Sequence, residues 1–499
     1  MISTNYIVAI DLGTSCIKGV IGTRSQTGVF TVIACETESS TNCIRRGVIY
    51  NVENAAHRIN ILLRKLANRV PGIQIKKVYV GVGGQSIHSI NHVVAKSLGA
   101  DGEVKKETIE TLFKECQTFK PDGLEVLSIV SPTYYLDGNH EMNPVGIPCS
   151  RIEARYKLIV CRPSLKRHVI NSIAERAKIE VLDIFISPLA LADIVLSEDE
   201  KDLGCALLDF GAGVTSLTVY KNKRLVDLCV IPLGSHLITR DILCLNVVES
   251  EAERLKKTYG DAVPDKENDT PVQVNSINSV GPRQIKSSEI NEIVEARFQE
   301  ILENIHARLN DSGVVDTLNA GIVITGGGAS LKNSDEAIRE RFGMTVRHAL
   351  INKSFFEKTN VPIEPEYGVV AGLLLKGTVN CTYTPPVSPP NPNPINRIDG
   401  GIHVGDVDKD KDDELERERE RQRIEEERKR RIAAEAEIKP PTRQKDKTGK
   451  GLIKRMTGFV DKLFEDEDYE DPKKKEEVDE SQDNETEKKK TNDINKPEE

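Results

Sequence analysis

YIVAIDLGTSCIKGVIG, residues Tyr6 to Gly22, reads as a buried strand, an Asp-x-Gly-Thr-Ser turn and a second strand. Gly13 lets the backbone turn tightly and brings N–H groups and the Thr14 and Ser15 hydroxyls toward one point, the geometry of an anion-binding nest. Asp11 is placed to orient a hydrated Mg²⁺ through water, and Lys18 is a point charge for phosphate. Alone, the same letters also describe an ordinary hairpin turn.

A second copy changes the weighing. CALLDFGAGVTSLTVY, Cys205 to Tyr220, repeats strand, Asp209-x-Gly211-x-Gly213 and strand, with its aspartate 198 residues after Asp11. Two such hairpins suggest a duplicated α/β fold whose halves face each other across a nucleotide. A third element, AGIVITGGGASLKN, Ala320 to Asn333, is an apolar strand followed by Gly326, Gly327 and Gly328 and an expected helix start. A glycine turn at a helix N-terminus offers free N–H groups and the positive dipole end to a phosphate.

Together the three elements resemble the phosphate and adenosine signatures of the superfamily of actin, sugar kinases and heat-shock chaperone ATPases. The helices ISPLALADIVLSEDEKDLG (Ile186 to Gly204) and EYGVVAGLLLKG (Glu366 to Gly377) fit that pattern, the second carrying small residues suited to a close crossing. SEAERLKKTYG (Ser250 to Gly260) puts Glu253 and Lys256 one turn apart on one face, where ribose contacts are expected; an ordinary surface pair is the competing reading.

Further segments narrow the resemblance. VYVGVGGQSIHSINHVVA (Val78 to Ala95), VLSIVSPTYYLDG (Val126 to Gly138), NPVGIPCSRIEARYKLIVC (Asn143 to Cys161) and VIPLGSHLITRDI (Val230 to Ile242) resemble the FtsA family of bacterial cell-division proteins, over nearly all of residues 5 to 378. The resemblance implies a two-lobed actin-like fold with duplicated ribonuclease-H-like cores and an inserted α+β subdomain. It implies an ATP- and Mg²⁺-binding adaptor, with Asp11 and Asp209 as catalytic and metal-holding residues, that polymerises and tethers the tubulin-like protein FtsZ to the membrane. Residues 1–82 and 163–203 are then the first lobe core, 83–162 the insert that meets other division proteins, 204–234 and 318–380 the second lobe core, and 235–317 its smaller subdomain.

That smaller subdomain is expected to capture the C-terminal peptide of FtsZ. Arg297, in the helix EINEIVEARFQEILENIHARL (Glu289 to Leu309), is the candidate for pairing with an acidic peptide; a salt bridge within the helix is the alternative. The second hairpin departs from the family pattern Asp-x-Gly-Gly-Gly-Thr-x-Asp. Ala212, Val214 and Ser216 stand where the middle Gly, the Thr and the second Asp are usual. The lost hydroxyl and carboxylate remove Mg²⁺ or water contacts, so binding should survive better than hydrolysis.

Composition bounds the rest. Of 499 residues, 38% are hydrophobic and 29% charged, and the net charge of −9 argues against a nucleic-acid binder, which would carry a basic excess. No run of about 18 apolar residues offers a transmembrane helix, and no secretory signal opens the chain, so a place on the cytoplasmic side is expected. The ten cysteines are scattered without ligand spacing and read as reduced thiols.

PPVSPPNPNP, Pro385 to Pro394, cannot sit in a helix or central strand and closes the folded part. Residues 381–447 form a Pro-rich and charged linker whose Glu414 to Ile438 stretch carries i, i+4 pairs such as Glu425 with Lys429. Residues 466–499 are too polar to build a core. Between them, in 448–465, Leu452, Ile453, Met456, Phe459, Val460, Leu463 and Phe464 fall on one helical face, with Lys454 and Arg455 beside them. At roughly 20 Å this helix is too short to cross a bilayer of ~30 Å, so it should lie in an anionic membrane interface, which the family resemblance implies is at the division septum. Docking onto the core or into a partner groove is the competing reading.

Three other classes of the superfamily compete. A small-molecule kinase needs a carboxylate base aimed at a substrate hydroxyl and has no use for an amphipathic tail. A chaperone ATPase needs a β-rich substrate domain. A pilus-assembly platform protein uses a partner peptide instead of its own membrane helix. The tail and the insert argue against all three.

Overall fold

The computed structural model describes residues 5–384, apart from 100–101, 266, 268, 276–281 and 358–362. The expected linker start at 381 is corrected: Cys381 is buried and Thr382–Tyr383 pairs with Gln74–Ile75, so the fold runs on through these residues, while the linker from 385, the amphipathic segment and the terminal tail lie outside the described residues.

The first lobe is built on a five-stranded sheet in the order Glu180–Ile186, Lys77–Val82, Tyr6–Leu12, Cys16–Arg24 and Phe30–Ser39. Its central strand, Tyr6–Leu12, is an almost unbroken apolar run because both of its faces are covered. Helix Val52–Asn68 covers one face with Ala55, Ile59, Leu62 and Leu66, spaced so that they share a stripe. It starts at Asn51, whose side chain accepts a hydrogen bond from the Asn54 amide. Helix Gly368–Lys376 covers the other face. Two glycines of the hairpin show how closely these layers approach: a Cβ on Gly19 would lie 2.9 Å from Leu66 Cδ1, and one on Gly22 would lie 2.9 Å from Leu374 Cδ2. Helix Ser187–Val195 then crosses Gly368–Lys376 so tightly that a Cβ on Gly372 would fall 2.0 Å from the Ala190 carbonyl oxygen.

The second lobe repeats the plan. Strands Arg224–Ile231, Thr215–Lys221, Cys205–Phe210, Ile322–Thr325 and Val346–His348 lie in that order, with the second hairpin at the centre. Three helices, His236–Ile242, Glu249–Tyr259 and Ser287–Asp311, and the ribbon of Pro271–Asn275 with Pro282–Lys286 form its smaller part. The long helix buries Ile290, Val294, Phe298, Ile301, Ile305 and Leu309, a helical-period stripe, and Phe298 meets Phe210 of the hairpin at 5.6 Å between ring centroids.

The segment inserted in the first lobe contributes four strands, Asn139–Glu141, Glu125–Leu136, Arg151–Cys161 and His88–Ser97, to one nine-stranded sheet with the second lobe, and helix Lys106–Thr118 packs on them through Leu112 and Cys116. Its sheet edge continues into the second lobe through the bridge between His88 and Cys229. Beside this bridge Ser89 Oγ donates to Asp227 Oδ1 at 2.6 Å, and Arg308 of the long helix pairs with the same carboxylate at 3.2 Å. Asp227 is thus a buried charge held by Ser89 and the Arg308 guanidinium, although its Oδ2 and Arg308 Nε lack a hydrogen-bond partner among the described residues.

Candidate functional site

Both hairpin turns, the glycine turn and helix Glu249–Tyr259 converge on a cleft of about 890 Å³. Asp11, Gly13, Thr14, Ser15, Lys18, Asp209, Gly211, Glu253, Lys256, Gly326, Gly327 and Gly328 all line it. Gly213 sits instead where the hairpin tips touch: a Cβ there would lie 2.6 Å from both Cγ2 and Oγ1 of Thr14. Only a residue without a side chain permits that approach.

Asp11 and Lys18 are register partners across the first hairpin. The ammonium of Lys18 donates to the Glu366 carbonyl at 2.5 Å and lies 5.5 Å from the Tyr367 ring centroid, so it is braced from the C-terminal side of the folded region. Asp11 keeps some exposure to the cleft but is set deep, and burial pushes its carboxyl up against the opposing pull of Ser187 and Lys18. Asp209 is pushed up to about 6 by burial and then by the facing Asp11, with Lys18 opposing. Two deep carboxylates thus share one lysine. A divalent cation with its water shell is the group whose chemistry suits this set, because hard oxygen ligands of net negative charge are what it takes.

The glycine turn supplies space. Gly326 has φ of +86°, and a Cβ on it would lie 2.4 Å from Asp209 Oδ1, so the turn stacks on the second hairpin. Gly327 has no neighbour within 4 Å of a would-be Cβ and opens toward the cleft. The expected helix start is corrected here. Gly327–Ser330 is a 3₁₀ turn, and the α-helix begins at Ser334, because the chain first turns through Asn333 at φ of +56°. The dipole argument therefore does not apply at this turn, while the steric one does.

Glu253 and Lys256 are in the wall and joined to each other, Lys256 Nζ lying 2.7 Å from Glu253 Oε2. Lys256 also donates to Thr239 Oγ1 at 2.9 Å and the Ser235 carbonyl at 3.3 Å, and Thr239 donates to Glu253 at 2.6 Å. Burial pushes Lys256 down, and Glu253 sits low because Lys256 and Thr239 outweigh its own burial. Val214 and Ser216 also line the cleft, and Ser216 is the register partner of Asp209, so a hydroxyl faces the site where a carboxylate was expected. Arg297 stands apart from the cleft lining, mostly buried, paired with Asp241 at 2.5 Å and with Glu300.

One residue of the site escaped the sequence reading. Ser187, buried at the start of its helix, donates from Oγ to Asp11 Oδ1 at 2.6 Å. Room for this contact comes from Gly81 in the neighbouring strand, where a Cβ would lie 2.7 Å from Ser187 Oγ and 3.1 Å from Asp11 Oδ1. A glycine inside the apolar strand KVYVGV was the available signal.

Comparison with known proteins agrees with this geometry. The family model "Cell division protein FtsA" matches residues 206–372, and "SHS2 domain inserted in FTSA" matches residues 84–160. Cell division protein FtsA of Porphyromonas gingivalis is 34% identical over 383 residues, covering 76% of this chain and 80% of the relative. That of Pseudomonas aeruginosa is 30% identical over 379 residues, covering 75% and 90%. Among solved structures, the PilM-PilN type IV pilus biogenesis complex aligns at a TM-score of 0.52 with 15% identity, over 74% of this chain and 98% of that one, a likeness of fold alone. The actin-like architecture, the insert and these relatives together place the chain in the FtsA family of cell-division proteins.

Proposed function

We propose that the chain is an ATP-binding adaptor that polymerises and anchors FtsZ filaments to the cytoplasmic face of the membrane at the septum. The observation that carries the nucleotide part is the pair of deep carboxylates, Asp11 and Asp209, lining one cleft with Lys18 acting on both. Asp11 and Asp209 would hold Mg²⁺ through water, and Gly13, Thr14, Ser15, Lys18, Gly211, Gly213 and Gly326 to Gly328 would meet the phosphates. When bound, Mg²⁺ supplies charge neutralisation at the phosphates. Glu253 and Lys256 would reach the ribose by exchanging part of their own pairing. Ser216 in place of a carboxylate supports weak hydrolysis or none, since the second lobe then offers one carboxylate fewer to orient water.

The adaptor part rests on family membership and on the sequence beyond the described residues. The smaller subdomain, about 235–317, would take the C-terminal peptide of FtsZ. Arg297 can join an acidic peptide there by giving up Asp241 or Glu300. Other division proteins would meet the insert, further copies of the chain would extend a filament, and Leu452 to Phe464 would bind anionic lipid. Among the described residues no helix is long and apolar enough to cross a membrane, so an interfacial helix supplies the attachment in this reading. Calorimetric titration of the full chain with ATP and Mg²⁺ tests the nucleotide part. Co-sedimentation of FtsZ with lipid vesicles in the presence and absence of this protein tests the adaptor part.

A further inference from the structure

Asp261 sits just beyond the helix Glu249–Tyr259 that forms part of the cleft, and it is only 4% exposed. A buried carboxylate is tolerated where donors replace its water. Asp261 Oδ1 accepts from the Val263 amide at 3.0 Å and from Asn333 Nδ2 at 2.8 Å, and Oδ2 pairs with Lys332 Nζ at 2.7 Å. Two of these three partners lie on the segment that leaves the glycine turn, Asn333 being 72 residues further along the chain. The backbones meet at the same place. Asp261 and Lys332 form a parallel bridge, and the Ala262 amide donates to the Lys332 carbonyl at 2.9 Å. The Asp261 amide donates to Asn291 Oδ1 at 3.1 Å, which ties in the long helix Ser287–Asp311.

The two segments joined here both line the cleft, the helix through Glu253, Lys256 and Lys257 and the glycine-turn segment through Gly328, Ser330 and Leu331. Leu331 precedes Lys332, and a Cβ on Gly260 would lie 3.1 Å from Leu331 Cδ1, so the helix end and Leu331 approach each other beside the Asp261 carboxylate. Asn333 holds a left-handed backbone at φ of +56°, a conformation asparagine adopts more readily than most residues. Its side chain is thereby anchored at Asp261 where the chain turns toward helix Ser334–Phe342. None of these bonds reaches the hairpins that carry Asp11 and Asp209. Losing the Asp261 carboxylate therefore frees Ser330 and Leu331 to shift against Lys256 and Lys257, and leaves the carboxylate end of the cleft as it is.

We propose that Asp261 is a positioning residue for the nucleoside end of the cleft: its carboxylate fixes Ser330 and Leu331 against the helix that carries Lys256 and Lys257, and so sets the gap that a base and ribose would enter. The inference rests on the nucleotide reading above and deepens it. It divides the cleft into a nucleoside end set by Asp261 and a phosphate end set by the hairpins.

The test is calorimetric titration of the full chain with ATP at several Mg²⁺ concentrations, using wild-type protein, Asp261→Ala, Asp261→Asn and Asn333→Gly, with thermal melts to show which variants are folded. Asp261→Ala should weaken ATP binding about tenfold, the order expected when hydrogen bonds to a charged group are lost, while Mg²⁺ strengthens binding by the same factor as in wild type. Asp261→Asn keeps an oxygen for Val263 and Asn333 and loses only the ion pair to the exposed Lys332, so it should retain most of the affinity. Asn333→Gly keeps the left-handed backbone and removes one donor, so it should lose part of the affinity with the Mg²⁺ factor unchanged. That variant decides the question if Asp261→Ala does not fold. Wild-type ATP affinity in the folded variant, or a Mg²⁺ factor that collapses together with the affinity, would overturn the positioning role and leave nucleotide binding in place. Wild-type protein that bound no ATP would overturn the nucleotide reading and this inference with it.

Discussion

Ser187 Oγ donates a 2.6 Å hydrogen bond to Asp11 Oδ1 across 176 residues of chain, tying the helix that follows the first-lobe sheet to the turn of the first hairpin. The bond fixes one oxygen of a carboxylate that lines the cleft. Ser187→Ala should therefore weaken Mg²⁺-dependent nucleotide binding by ~1.5 kcal/mol, the low end for a hydrogen bond to a charged group, and Ser187→Thr should keep most of it. Titrations at several Mg²⁺ concentrations check this. Equal affinity for the Ala variant would leave Ser187 a packing residue.

Asp209 should cost the nucleotide-free protein stability at neutral pH. Its carboxyl, normally near 3.8, is pushed up to about 6, so the native state holds the proton more tightly than the unfolded chain. Stability from this group is complete below about pH 4 and is lost as pH rises through about 6. Asp209→Asn should raise the stability of the free protein above pH 6 by roughly 3 kcal/mol, from about 1.4 kcal/mol per pH unit over the rise from 3.8 to about 6, and make no difference near pH 4. Thermal melts across pH 4 to 8 read this directly. A gain that persisted unchanged at pH 4 would trace to something other than ionisation.

Gly213→Ala should force the hairpin tips apart, since its Cβ would meet Thr14 at 2.6 Å. Nucleotide affinity should fall in the single variant and recover in part when Thr14→Gly is added. Additive losses in the double-mutant cycle would show that the tips do not press on each other.

The fold was legible where local chemistry repeats it. Tyr6–Leu12 and Cys205–Phe210 are apolar runs ended by Asp-x-Gly, and that pattern gave both lobes and the facing carboxylates. What could not be read was long-range. No periodicity links Ser187 to Asp11, and nothing in the insert's sequence says that His88 pairs with Cys229 of the second lobe. Gly326 to Gly328 signalled a turn, but that the chain passes through a 3₁₀ turn and a left-handed Asn333 before its helix starts at Ser334 is not written in the glycines. The spacing of Glu253 and Lys256 sets them on one helix face, where they pair, but their bonds to Thr239 come from a different helix and no local pattern signals them.

The amphipathic segment makes a separate prediction. Lys447, Lys450, Lys454, Arg455 and Lys462 against Asp461 give a local charge of +4, partly cancelled by the acidic run that follows. Apolar burial should dominate, so vesicle binding should depend only moderately on salt. Met456→Glu or Phe459→Glu should release the full chain from anionic vesicles by setting a charge in the apolar face. Continued co-sedimentation would move the membrane contact elsewhere.

The central claim is that the cleft takes ATP with Mg²⁺ through the two hairpins. Calorimetric titration of the full chain with ATP and Mg²⁺ tests it most directly, with Asp11→Ala and Lys18→Ala alongside. The account predicts saturable, Mg²⁺-dependent binding to wild-type protein, a loss of ~1.5–3 kcal/mol for Lys18→Ala, and loss of the Mg²⁺ dependence for Asp11→Ala. Binding indifferent to both substitutions, or no binding by well-folded wild-type protein, would contradict it.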